Sequence, residues 1–166
     1  HAVEHQAFGG AFKYDRMSWI KPNFLWMMYR SGWAVKDGQE HILAVTLRRE
    51  FFDELTEIAV ASSFGASGMT DYAKWKEALT TSEVRLQWDP DHSPTGAKEE
   101  RKAVQLGLRG DMLRKYGQEA VLEIRDVTRF VIEQRQNAKE DYQHLVTPLE
   151  EVYQLTEMGR VNLIGH

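Results

Sequence analysis

Between Arg16 and Glu40 the chain reads RMSWIKPNFLWMMYRSGWAVKDGQE, a run that interleaves Arg16, Lys21, Arg30 and Lys36 with three of the five Trp residues. Lys and Arg are rarely buried without a partner, so cations bracketing so apolar a stretch are candidates for chemistry. Lys21 precedes Pro22, and Pro suits the first position of a helix, where its missing N–H costs nothing. A helix N-terminus attracts anions through its free N–H groups and partial positive charge. Arg16, one short segment upstream, is placed to join Lys21 on a phosphate. Arg30 falls in the last turn of the same helix, where the helix dipole by itself also favours a cation. Trp19, Trp26, Tyr29 and Trp33 supply rings for stacking on a base or for packing. Together these residues point to a phosphate-bearing aromatic ligand such as a nucleotide; the plainer alternative is a core helix with charged ends.

A second set lies in EVRLQWD, where Arg85, Gln87 and Asp89 project to one side of a strand. A carboxylate at a strand end can orient a hydroxyl or act as a base, although a solvated sheet face uses the same pattern. His5 and Gln6 near the start form a comparable pair. The layout is similar to that of mono-ADP-ribosyl transferases and related RNA phosphate-removing transferases. Those α+β domains hold NAD in a sheet cleft, with a His or Arg on an early strand, an aromatic or Ser group next, and an acid on a later strand. The similarity implies His5 on the ribose, Tyr29 on the nicotinamide and Asp89 (or Glu123) orienting the nucleophile. Arg16 and Lys21 would hold the pyrophosphate, with Trp19, Arg30, Trp33 and Gln87 as further ligand contacts. The function expected is therefore a nucleotide- or nucleic-acid-directed enzyme, in its sharpest form an NAD-using transferase. The competing class is a non-catalytic nucleotide or single-stranded nucleic-acid module with Trp19, Trp33 and Trp88 as stacking platforms.

The block RMSWIKPNFLWMMYRSGW followed by KDGQEHILAV resembles the signature of a bacterial and fungal family designated domain of unknown function 4291. HQAF near the start, VRLQWDPD, and LGLRG with the downstream KYG extend the resemblance over most of the chain. That family usually has Tyr where this chain has His5, and a longer segment where only GGAFKYD precedes Arg16 here. The resemblance implies no particular reaction.

Several classes are disfavoured. The six His (His1, His5, His41, His92, His144 and His166) and the absence of Cys lead to the expectation of no metal site. GxSxG, P-loop and GxGxxG patterns are absent from the sequence. A net charge of −4 argues against a general nucleic-acid binder but allows a local basic cleft. No apolar run suits a membrane span, so a cytoplasmic protein is expected.

The elements that must position these groups follow from periodicity. Strands are expected at His1–Phe8, His41–Leu47, Glu83–Asp89, Ala103–Leu108 and Glu119–Ile124. Helices are expected at Pro22–Ser31, buried on most sides and stopped by Gly32, and at Arg48–Ser62, Thr70–Lys76, Gly110–Tyr116, Val127–Asn137 and Pro148–Glu157. Gly65–Gly68 and the polar stretch Pro90–Arg101 read as loops. A length of 166 residues fits one domain. The mixture predicts an α+β fold with a mixed or mainly antiparallel sheet.

Overall fold

Alternation of Val84, Leu86 and Trp88 is realised in strand β4 (Val84–His92), which pairs antiparallel with β5 (Lys98–Leu108), Leu86 facing Leu106 and Val84 facing Leu108. The computed structural model describes residues 1–140 and 142–164. On one side of β5 lies β1 (Ser18–Ile20), antiparallel; on the far side of β4 lies β3 (Val60–Ala61), parallel, giving the order β1-β5-β4-β3. A separate antiparallel pair joins β2 (Leu43–Leu47) to β6 (Val121–Asp126). The helices are α1 (Ala2–His5), α2 (Phe24–Ser31), α3 (Arg49–Ile58), α4 (Tyr72–Thr81), α5 (Gly110–Gln118), α6 (Thr128–Glu140) and α7 (Glu157–Ile164). The fold is α+β.

Burial follows the pleat. Val84, Leu86, Leu106 and Leu108 meet Phe51 and Leu55 of α3 and Leu113 and Tyr116 of α5 in one core, with Val45 and Leu47 of β2 against its margin. A second core gathers Met28, Trp33, Ala34, Ile42 and Val131. Gly32, Trp33 and Ala34 all have left-handed backbone, at φ 60°, 57° and 61°. Only Gly enters that region without strain. Burial of the Trp33 ring offsets the cost at its own position.

Four expectations are corrected. Within the strand expected at His1–Phe8 stands helix α1 (Ala2–His5) instead, and Gln6, at φ 53°, closes it. The Gln6 amide then substitutes for a strand: Nε2 donates to Ile124 O at 3.0 Å and Oε1 accepts from Ile124 N–H at 2.7 Å. The helix expected from Pro22 starts at Phe24, because Asn23 is the cap and accepts from Trp26 N–H at 2.9 Å; of its residues only Met28 and Ser31 are fully buried. The loop expected over Pro90–Arg101 is mostly strand, since β4 continues through Pro90 at a register shift and β5 begins at Lys98. Proline is tolerated at such an irregularity. Pro148–Glu157 is extended, and the helix that follows is α7.

Gln6→Ala leaves both backbone groups of buried Ile124 without a partner. The expected loss is about 1–3 kcal/mol of unfolding free energy, read from urea denaturation. Gln6→Glu should fare little better, because a carboxylate cannot donate to Ile124 O; an unchanged midpoint in both variants would refute the strand-substitute role.

Candidate functional site

β1 is only three residues long and covers Leu106–Leu108 of β5. Beyond that, β5 runs on towards Lys98 with β4 on one side and, among the described residues, no strand on the other. The uncovered edge at Arg101–Val104 opens into a cleft of about 800 Å³. Its walls come from β1 and the Lys21–Asn23 turn, from Leu43, Val45 and Leu47 on one face of β2, from Arg49, Phe52 and Thr56 of α3, and from the extended segment Glu150–Leu155. The floor is the exposed margin of the first core, with Ile20, Val45, Leu47, Phe52 and Val104. The cleft therefore combines an apolar floor, an unpaired strand edge and four cations, Lys21, Arg49, Arg101 and Lys102.

Two of those cations are spoken for. Lys21 Nζ lies 2.6 Å from Asp89 Oδ2, with side chains 1% and 13% exposed, and sits 4.2 Å from the centre of the Trp26 ring. Burial pulls the Lys21 ammonium below its ordinary range, while the hydrogen bond and charge of Asp89 push back. Arg101 forks onto Asp91, with Nε to Oδ2 at 2.8 Å and a second, shorter bond from its terminal nitrogen. Asp91 is buried, and its other oxygen accepts from Asn23 Nδ2 at 2.9 Å and from His92 N–H at 2.7 Å. Burial alone would raise its carboxyl; the bonds from Arg101, His92 N–H and Asn23 outweigh that and hold it below the ordinary value of 3.8. Arg49 lies 3.7 Å from Asp53 and donates to Gln154 O of the extended segment at 2.9 Å, and Lys102 is exposed.

Of the candidate residues, Trp19, Lys21 and Trp88 border the cleft and the others do not. Trp19 is 42% exposed, but its ring lies over Gly107 on the outer face of the sheet, where a Cβ would come within 2.9 Å of it. Gln87 donates to Asp89 Oδ1 at 2.9 Å on that same outer face. Arg16 is exposed and does not join Lys21. Arg30 is exposed and reaches Gln39, and Trp33 is packed in the second core against Phe24 and Tyr29. Tyr29 clamps the β4–β5 hairpin, its hydroxyl donating to Pro94 O at 2.8 Å and its ring lying over Gly96. His5 is exposed on α1, beside His1 and Glu4. His5, Tyr29 and Asp89 are thus in three different places, and no triad forms from them. The residues that sequence reasoning missed are Asn23, Arg49, Asp91, Arg101, Lys102 and Glu150. Asp91 carried a signal, since a second acid follows Asp89 two residues on; reading Pro90 as the strand end hid it.

A cleft of ligand size at the seam of two sheets is the class that this α+β fold and its site define. The chain belongs to the family described as domain of unknown function (DUF4291), whose model matches residues 1–153. That span takes in both sheets, α1 to α6 and the extended segment as far as Tyr153. Neither the curated proteins nor the solved structures give a match. Among the described residues, no helix is long and apolar enough to cross a membrane.

Two outcomes test this electrostatic frame. Asp89→Ala strands the Lys21 ammonium in a dry setting and should cost about 3–5 kcal/mol. The pair Lys21→Met with Asp89→Leu should recover most of that loss in urea melts. For Asp91 the folded pKa is depressed, so its stabilisation is fully present above pH 3.8 and is lost as pH falls through the lower folded value. Acid titration of the urea midpoint should therefore drop steeply below that pH in wild type, and Asp91→Asn should be less stable at pH 7 with a flatter acid limb.

Proposed function

We propose that the cleft between the sheets binds a nucleotide, and that the protein acts on nucleotides or nucleic acid, with an NAD-using transferase as the reaction class that suits the cleft best. The observation that carries this reading is the unpaired edge of β5 beside Arg49 and the exposed Lys102. An unpaired edge presents backbone N–H and C=O groups side by side, which matches the donor–acceptor pair of a carboxamide or a base edge. Arg49 and Lys102 supply charge for phosphates, and Phe52 and Trp88 supply ring surface. About 800 Å³ lies within the usual range for small-molecule and cofactor clefts. Both oxygens of Asp89 are engaged by Lys21 and Gln87, so Asp89 positions Lys21 and is not the group that orients a nucleophile.

A second reading, a non-catalytic single-stranded nucleic-acid module, draws on the outer sheet face. There Trp19 lies in the same cross-strand row as Gly107 and Arg85, and Arg85 Nε is buried without a partner among the described residues. Tryptophan fluorescence titrated with NAD, ATP and a short single-stranded RNA separates the two, with nicotinamide release followed by chromatography. For the cleft, NAD or ATP should bind, nicotinamide should be released from NAD, and Lys102→Glu should weaken binding about tenfold in low salt. RNA binding abolished by Trp19→Ala, with no nucleotide bound, would favour the module. Absence of any quenching at millimolar ligand would overturn both.

A further inference from the structure

Residues 146–155 cross the molecule towards α7 without forming helix or strand. Among the described residues, none of the backbone-to-backbone bonds ties them to the body. Side chains hold them at the start, where Val146 N–H donates to Gln134 Oε1 at 2.8 Å, and at two points further along. At the first, Glu150 Oε1 accepts from Phe24 N–H at 2.5 Å and Oε2 from Asn23 Nδ2 at 3.3 Å. The carboxylate thus sits on the first turn of α2, where the helix dipole and the free N–H groups favour an anion, and Arg101 feels its charge. At the second, Tyr153 OH donates to Asp53 Oδ1 at 2.9 Å, its ring meets Phe52 edge-on at 4.8 Å, and Arg49 donates to Gln154 O at 2.9 Å.

Between and beside these anchors the apolar side chains are not packed: Leu149 is 89% exposed and Val152 72%. Thr147–Glu150 also lines a second hollow of about 550 Å³ next to His92 and Pro94, and Glu150 and Arg101 border both hollows. The strap is the partition between them. A segment with few buried contacts and no backbone ladder lies at the low end of local opening free energies.

We propose that this strap is an autoinhibitory gate: the Glu150 carboxylate occupies the donors at the start of α2 that the anionic group of the cleft ligand takes when the strap lifts. The gate rests on the nucleotide reading of the cleft. A ligand that needs the open state binds with an affinity reduced by the open fraction, and releasing the carboxylate removes that penalty.

The test uses the full chain as wild type, Glu150→Gln and Tyr153→Phe, the second variant loosening the other anchor should the first disturb α2. Strap opening is read without ligand by hydrogen–deuterium exchange over residues 146–155, and binding of ATP and of inorganic pyrophosphate by calorimetry. Faster exchange together with about tenfold tighter binding in both variants is the expected result. Faster exchange with binding equal to or weaker than wild type overturns the gate and leaves the cleft reading standing. Faster exchange with no nucleotide bound by any of the three proteins overturns the cleft reading, and the gate with it.

Discussion

Two carboxylates on β4 hold the molecule's working end together. Asp89 takes the ammonium of Lys21, and Asp91 takes the amide of Asn23 and the guanidinium of Arg101. A charge removed from water must find a partner or lose its charge, so these bonds leave the Lys21–Asn23 turn little freedom. That turn fixes where β1 ends and α2 begins. Because β1 ends there, the rest of β5 has no neighbour on that side, and the cleft exists. The site is therefore a consequence of where buried charge had to be neutralised, more than of any residue that points into the hollow.

The same principle explains why the cations of the Arg16 block do not form a phosphate clamp. Lys21 precedes a helix that does attract an anion, but the anion there is Glu150 of the chain itself, and Lys21 is matched by an acid 68 positions away. Local sequence shows that a cation is embedded among apolar residues; it does not show which distant carboxylate will meet it. Arg16 remains in solvent, where hydration already satisfies it.

Elements with a clear apolar period were legible. His41–Leu47 contains β2, the alternation of Val84, Leu86 and Trp88 is β4, and Asp126 caps α6 by accepting from Thr128 N–H at 2.9 Å. What was not legible lacked that period. Lys98–Lys102 is strand with every side chain exposed, so neither face leaves an apolar trace, and its pairing with β4 is specified by partner strand and by the Asp91–Arg101 bond. The first residues alternate too weakly to specify a strand, and their amide-to-backbone bonds to Ile124 lie 118 positions away. Glu150 reads as one polar residue among many until the fold brings it to α2.

An unpaired strand edge is a liability that folded chains cover or charge. Here both devices operate: Arg101 and Lys102 put cations on the edge, and the strap lies along the cleft it opens into. The strap covers the edge without zipping onto it, since no backbone ladder forms between them. A permanent fifth strand would have closed the cleft and buried Leu149 and Val152; a bare edge would have invited pairing with another chain. A cover held by one carboxylate and one tyrosine protects the edge while leaving its donors and acceptors recoverable. That compromise is what a site needs if its ligand is to displace part of the protein in order to bind.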